Sequence, residues 1–95
     1  MSAYYLAQMT IEDAELYKLA QSRFPVVFEK YGGRVLAADS NFEVLEGDFE
    51  GSRVVIIEFQ SEEKLKAWYF SPEYQETVAI RKRAANANII IAHGI

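Results

Sequence analysis

The chain has 95 residues, a formal net charge of −4 and no cysteine. A chain of this length is expected to form one domain over residues 1–95. The acidic balance argues against nucleic acid as a partner, and the lack of cysteine excludes disulfides and thiolate-ligated metals. The first residues lack the basic and apolar regions of a signal peptide, and no run is apolar enough to span a membrane. We therefore expect a cytoplasmic protein with no membrane partner.

The first part of the chain predicts a strand followed by a long helix. Residues 4–9 are almost all apolar, which is typical of a buried strand. Thr10 and Asp13 resemble a capping box, so we expect a helix from Ile11 to about Lys30. Apolar residues recur there at steps of three and four, and they predict a buried stripe of Ala14, Tyr17, Ala20, Phe24, Phe28 and Tyr31.

Two features should interrupt or end this helix. Pro25 lacks a backbone N–H and crowds the preceding turn, so it should kink the helix or split it near Arg23. The pair Gly32-Gly33 should end the helix, because glycine tolerates the left-handed conformation of a helix cap.

Two further strands follow. Residues 34–38 read as a strand that continues over residues 42–46, with turn or bulge residues at 39–41. Residues 47–51, with a glycine at each end, predict a hairpin loop. Residues 53–59 form the clearest strand of the sequence because their centre is entirely apolar and β-branched.

The last part of the chain predicts two helical pieces and a strand. Ser61 should cap a helix whose first residues are acidic. Ser71-Pro72 should stop this helix and start a second piece, capped by Ser71, that runs to about Ala85. Residues 88–92 read as the final strand.

The element order β-α-β-β-α-β predicts an α+β, ferredoxin-like fold, with one four-stranded antiparallel sheet and its helices on one face. The predicted strands carry apolar residues on both faces of the sheet. In residues 53–59, for example, Val55 and Ile57 point to one face, and Val54 and Ile56 point to the other. The strands of a sheet with one solvent-exposed face should instead alternate apolar and polar residues. We therefore predict a homodimer whose interface buries Leu6, Val54 and Ile56 or their opposite-face neighbours.

The whole pattern resembles a known family. Its motifs are Gly32-Gly33-Arg34, Leu45-Glu46-Gly47, Val55 to Phe59, and Trp68 to Gln75 with Arg81 following. These resemble the domain-of-unknown-function family numbered thirteen-thirty, within the dimeric α/β-barrel superfamily. The resemblance implies two ferredoxin-like sheets packed face to face as a homodimer. Relatives in that superfamily include cofactor-free monooxygenases, muconolactone-isomerase-like enzymes and haem-degrading enzymes.

Glu58 is the candidate catalytic residue because it places a carboxylate within an apolar strand. Burial against a dimer partner would raise its pKa and suit it to general acid–base catalysis. Alternatively, Glu58 pairs with Arg34 or Arg53 at a strand end.

Arg81 is the main candidate for substrate binding, since its guanidinium can hold a carboxylate bidentately. Alternatively it pairs with Glu58 or stacks on Tyr74. We predict that Glu58 and Arg81 share one polar cluster near a cavity. The remaining candidate lining residues carry aromatic or amide groups: Trp68, Tyr74, Tyr4 and Gln8. For Trp68 the alternative is a place in the hydrophobic core.

We predict no metal site and no cofactor. His93 is the only histidine, so it cannot build a histidine-rich site, and haem degradation through a helix-borne histidine is not expected. Two function classes remain. The first is a cofactor-independent, monooxygenase- or isomerase-like enzyme acting on a small aromatic or anionic metabolite. The second is a non-catalytic homodimeric module that binds a small molecule or has a structural role.

Overall fold

Four strands and three α-helices follow the predicted order in the computed structural model, which describes the backbone of all 95 residues and every side chain except those of Pro25, Val26, Val27 and Glu29. They are β1 (Ala3–Ile11), α1 (Ala14–Phe28), β2 (Arg34–Asp39), β3 (Arg53–Phe59), α2 (Glu62–Tyr69), α3 (Pro72–Ala84) and β4 (Ala85–His93), with a short 3₁₀ turn at Glu29–Tyr31. In the described part of the chain, no helix is long and apolar enough to cross a membrane.

The strands form one antiparallel sheet in the order β2-β3-β1-β4. Tyr5 in the central strand β1 stands opposite Ile57 of β3 and Ile91 of β4. The pairing of β2 with β3 shifts register between Val35 and Ala37, which marks an irregularity at Leu36. This order and the position of the helices confirm the predicted ferredoxin-like, α+β fold.

Strand alternation gives the sheet two distinct faces. One face, here called the helix face, packs against the helices and carries buried residues that include Ala3, Tyr5, Ala7, Met9, Ile57 and Phe59. The opposite face, here called the open face, carries half-buried residues that include Tyr4, Leu6, Gln8, Val54, Ile56 and Glu58. No helix of the described chain covers the open face, so its apolar residues are available to a partner.

Trp68 lies at the centre of the core and is fully buried. Its ring packs at centroid distances of 5.3 Å from Tyr5, 5.3 Å from Phe59 and 4.1 Å from Tyr74. The chain also approaches this cluster closely at Gly33, where a Cβ atom would lie 2.3 Å from the Phe28 ring. Only glycine fits there without moving the core.

Three predicted helix ends are confirmed. The hydroxyl of Ser61 accepts a hydrogen bond from the Lys64 backbone N–H at 3.2 Å, and Ser71 caps α3 in the same way. The predicted break at Ser71-Pro72 separates α2 from α3. Gly32 has a φ of +69°, a conformation that glycine adopts without a Cβ penalty, and it follows the end of the 3₁₀ turn.

The start and interior of α1 differ from the prediction. Thr10 does not cap the helix, because β1 continues to Ile11 and pairs Thr10 with Asn86. Asp13 is the cap instead, and its carboxylate accepts from the Leu16 backbone N–H at 3.0 Å. Ala14 is exposed rather than buried. Of the two predicted effects of Pro25, a split near Arg23 is wrong, since one helix continues to Phe28. The other, a kink, stays a prediction, and the Pro25 side chain that motivated both lies outside the described residues.

The predicted strand over residues 42–46 is also wrong. The Asp39 carboxylate accepts from the Asn41 backbone N–H at 2.7 Å, and this local bond turns the chain away from the sheet. Residues 40–52 then form one long loop, in which the rings of Phe42 and Phe49 pack 5.0 Å apart. The apolar character of residues 42–46 thus reflects loop packing beside the open face.

Candidate functional site

A cavity of about 200 Å³ lies between the helix face of the sheet and helices α1 and α3. Apolar and polar side chains share its wall, and the polar ones are Tyr5, Tyr17, Gln21, Arg53, Tyr74, Thr77 and Arg81. Among the described residues that line this cavity there is no aspartate, glutamate or histidine. Two arginines therefore give the cavity a positive charge that no lining side chain balances.

Helix α3 supplies three of the polar groups from one face. Tyr74, Thr77 and Arg81 follow at steps of three and four residues, so they lie along the same stripe and are all buried. The outward side of α3 is tied to helix α1 and the turn after it by exposed ion pairs, with Glu76 3.3 Å from Arg23 and Glu73 3.8 Å from Lys30. The inner stripe of α3 therefore faces the cavity while the opposite side of the helix carries exposed ion pairs.

Arg81 is the most unusual residue of the site. It is only 6% exposed, and its Nε and Nη2 atoms are buried without an acceptor among the side chains that the structure describes. Those two N–H groups lie on the same edge of the guanidinium, where they form the fork that grips a carboxylate bidentately. The hydroxyl of Thr77, four residues earlier, is likewise buried and unpartnered in the described chain. Leaving such donors unpaired is costly, so the geometry favours an external acceptor.

Two phenols accompany the guanidinium. Burial raises the pKa of Tyr5 far above its usual range, and the neighbouring Tyr74 phenol adds to the rise. Burial also raises the pKa of Tyr74, although the positive charge of Arg81 opposes part of that rise. Both hydroxyls therefore stay protonated near neutral pH and act as hydrogen-bond donors rather than as bases.

Arg53 contributes the second charge of the cavity from strand β3. Its Cζ atom lies 5.9 Å from the centroid of the Tyr17 ring, within the range of a cation–π contact. Its Nη1 atom donates to the Ser40 hydroxyl at 2.9 Å, which anchors one end of the guanidinium. Its Nε atom is buried without a partner in the described chain.

Three of the predicted site residues lie on the open face. The Glu58 carboxylate accepts a hydrogen bond from the Tyr4 hydroxyl at 3.2 Å and pairs with Arg34 at 3.1 Å. Gln8 donates to the Glu50 backbone carbonyl in the long loop. Glu58 is therefore held in the ion pair with Arg34 that the sequence left as an alternative.

The predicted cluster of Glu58 with Arg81 does not form. Glu58 alternates in β3 with Ile57, so its side chain leaves the sheet on the open face, whereas Arg81 lines the cavity above the helix face. The other predicted cavity residues divide as well. Tyr74 lines the cavity, while Trp68 is fully buried behind it and contacts the Tyr74 ring.

Sequence reasoning missed several polar residues of the cavity, and two of them, Thr77 and Arg53, had a signal in the sequence. Thr77 shares the helical face of Tyr74 and Arg81. Arg53 alternates along β3 with Val55 and Ile57, so it points to the same face of the sheet, the one that packs against the helices. Tyr5 could have been found only by knowing which face of β1 the helices cover.

His93 lies away from the cavity. Its Nε2 atom is 2.5 Å from Oε1 of Glu62, and this contact, together with Lys66, lowers the pKa of the Glu62 carboxyl. No group of three or more His, Cys, Asp or Glu side chains is arranged to hold a metal ion among the residues described.

Solved structures share the fold at low sequence identity. A protein of unknown function from Rhodopseudomonas palustris has a TM-score of 0.80 at 22% identity, covering 99% of this chain and 82% of its own. SnoaB, a cofactor-independent oxygenase from Streptomyces nogalater, has a TM-score of 0.74 at 11% identity, with 99% and 93% covered. A dimeric ferredoxin-like protein of unknown function from a Jannaschia species has a TM-score of 0.76 at 11% identity, with 99% and 100% covered.

Sequence comparison identifies the family. No curated protein matches the chain. One family model, described as a domain of unknown function (DUF1330), matches residues 2–95. This match confirms the resemblance carried by the glycine and aromatic motifs, and the chain therefore belongs to the DUF1330 family.

Proposed function

We propose that this chain binds a small aromatic carboxylate in the cavity beneath α3. The observation that carries the proposal is the buried edge of Arg81, whose Nε and Nη2 donors have no acceptor in the described chain. The carboxylate of the ligand would accept from both donors, and the Thr77 hydroxyl would give a third hydrogen bond. A neutral ligand would leave the guanidinium charge uncompensated.

The size and wall of the cavity support a ligand with one ring. A protein cavity of about 150 Å³ accommodates a benzene molecule, and this cavity measures about 200 Å³. Phe24 and Tyr74 contribute aromatic surface, and Met9 contributes a polarisable thioether. A single aromatic ring with an acidic substituent matches both the volume and the chemistry of the wall.

The polar groups of the cavity favour binding over catalysis. General base catalysis near neutral pH needs a group that accepts a proton there, such as a carboxylate or an imidazole. The described lining has neither, and the raised pKa values of Tyr5 and Tyr74 keep both phenols protonated. Glu58 remains a predicted proton-transfer group, but it would act at the open face rather than on a ligand held by Arg81.

We further propose that the open face pairs with a second copy of the chain. Leu6, Val54 and Ile56 are only half-buried there, and Ile90 is 60% exposed. Solved neighbours of the same fold are described as dimeric. Pairing two such faces would bury on the order of 1,000 Å² or more, as stable interfaces do.

A second candidate is cofactor-independent oxygenase- or isomerase-like chemistry on the bound ligand. Its specific support is the grouping of Arg81 with two neutral phenols, because such donors stabilise negative charge that develops on a substrate oxygen. The fold likeness to SnoaB is consistent with this candidate. It requires a substrate acidic enough to ionise without a base from the cavity.

Isothermal titration with benzoate and salicylate tests the binding proposal. The unmodified chain and Arg83→Gln, which alters an exposed arginine of the same helix, should bind with equal affinity. Arg81→Gln should reduce binding to below detection, and Arg81→Lys should weaken it strongly because lysine keeps the charge but loses the fork. Equal binding by Arg81→Gln, or none by the unmodified chain, would overturn the proposal.

A further inference from the structure

The cavity holds a second arginine, the half-buried Arg53, which a single carboxylate on Arg81 would leave without an anion. Arg53 and Arg81 both line it, and each has a buried Nε atom with no acceptor among the described residues. One ligand carboxylate on Arg81 would balance one of these charges only. Leaving the buried Nε donor of Arg53 unpaired is costly, so this arginine favours an acceptor of its own.

We propose that the preferred ligand is an aromatic dicarboxylate, with one carboxylate on Arg81 and the other on Arg53. This inference rests on the proposed function and specifies the ligand class for the same cavity. It goes further by giving Arg53 a role in specificity: this residue distinguishes ligands with two acidic groups from those with one.

The surroundings of Arg53 fit a binding role better than a purely structural one. Its contacts to the Tyr17 ring and the Ser40 hydroxyl fix the guanidinium without neutralising its charge. Neither partner is an acid, and no salt bridge to Arg53 is formed within the described chain. A structural arginine at a strand end would ordinarily pair with a carboxylate, as Arg34 does with Glu58.

The two arginines also reach the cavity from different elements. Arg81 extends from α3 above the sheet, and Arg53 extends from the first residue of β3 beside Tyr17 of α1. Arg53 contacts Tyr17 and Ser40, whereas Arg81 lies near Tyr5 and Tyr74. The proposal therefore places the two carboxylates at different positions on the ring. A phosphate monoester, which concentrates its charge on one group, would engage only one arginine well.

Titration calorimetry with benzoate, isophthalate, terephthalate and phenyl phosphate tests this inference. At least one dicarboxylate should bind about tenfold or more tightly than benzoate, since hydrogen bonds to charged groups are individually strong. Arg53→Gln should remove that advantage, measured as the ratio of dicarboxylate to benzoate affinity within the same variant, whereas Arg53→Lys should retain part of it. Arg34→Gln, on the open face, is the matched control and should alter neither affinity.

The outcomes separate this inference from the proposed function. If benzoate binds through Arg81 but no dicarboxylate binds more tightly, or if the advantage survives Arg53→Gln, the dicarboxylate inference is wrong and the proposed function stands. Phenyl phosphate that matches the best dicarboxylate without needing Arg53 would also overturn it. If no ligand binds, both proposals are wrong. Circular dichroism of each variant before titration establishes that a lost affinity is not lost folding.

Discussion

The ring of Tyr74 packs against the indole of Trp68 with their centroids 4.1 Å apart. The Ser71 hydroxyl joins the same two residues, donating to the Trp68 carbonyl at 2.8 Å and accepting from the Tyr74 backbone N–H at 3.2 Å. One side chain thus closes α2, starts α3 and sets where Tyr74 enters the cavity. The core and the candidate site are therefore coupled at the break between the two helices.

Ser71→Ala should destabilise the chain by about 1 kcal/mol, because it removes an N-cap and leaves the Tyr74 N–H unpaired in a buried position. Urea unfolding measures the change. Ser22→Ala is the control, since this exposed serine donates to the Leu19 carbonyl within α1, and its effect should stay within about 0.5 kcal/mol. Equal losses for the two variants would contradict the cap.

Tyr5 and Tyr74 should resist ionisation at alkaline pH. Burial raises the pKa of both phenols in the folded chain, so their stabilising contribution is fully present below about pH 10 and is lost as pH rises through the raised values. Tyrosinate absorbance should therefore show these two of the six tyrosines ionising together with unfolding. Replacing both with phenylalanine should remove that late step. Ionisation of all six before the circular dichroism signal changes would contradict the burial argument.

Glu58→Gln should leave ligand binding in the cavity unchanged, because the Glu58 carboxylate lies on the other face of the sheet. The ion pair between Glu58 and Arg34 contributes little to the stability of the fold, because the Arg34 side chain is 74% exposed. The loss of stability in Glu58→Gln should therefore be below about 1 kcal/mol. Calorimetric titration and urea unfolding give the two quantities. A large loss of ligand affinity in Glu58→Gln would mean that the two faces share one site.

Ile56→Asp should convert the proposed homodimer to a monomer. A carboxylate in the middle of the open face would be buried without a partner in the interface, which is costly. Light scattering should then give the 10.8 kDa mass of one chain instead of twice that value. Leu19→Asp is the control because Leu19 is already 50% exposed on α1. An unmodified chain that is monomeric at micromolar concentration would refute the dimer.

The fold could be predicted largely because local signals agreed with tertiary packing. The strand over residues 53–59 was predicted with its observed bounds, as strand propensity, turn residues and apolar content coincide there. The prediction of residues 42–46 failed because apolar residues also pack within loops. Residues 42–46 looked like a strand, yet an Asp39 side-chain bond ends β2 and the apolar side chains pack within a loop.

The candidate site was less predictable, because strand alternation shows which residues share a face but not which face the helices cover. Tyr4 and Tyr5 are neighbours of the same type, and only the packed structure assigns Tyr5 to the cavity and Tyr4 to Glu58. Arg81 was identified from its helical spacing with Tyr74. Its missing acceptor is a tertiary property that no local pattern encodes.

The most direct test of the central claim, that Arg81 holds the carboxylate of a ligand, is the Nε–Hε resonance of Arg81 in ¹⁵N-labelled protein. Assignment follows from its loss in Arg81→Lys. On titration with benzoate, this resonance should move downfield and saturate together with the backbone amide of Thr77, while the Nε–Hε resonance of Arg34 stays in place. An Arg81 resonance that does not move while the ligand binds, or shifts confined to residues around Glu58, would contradict the account.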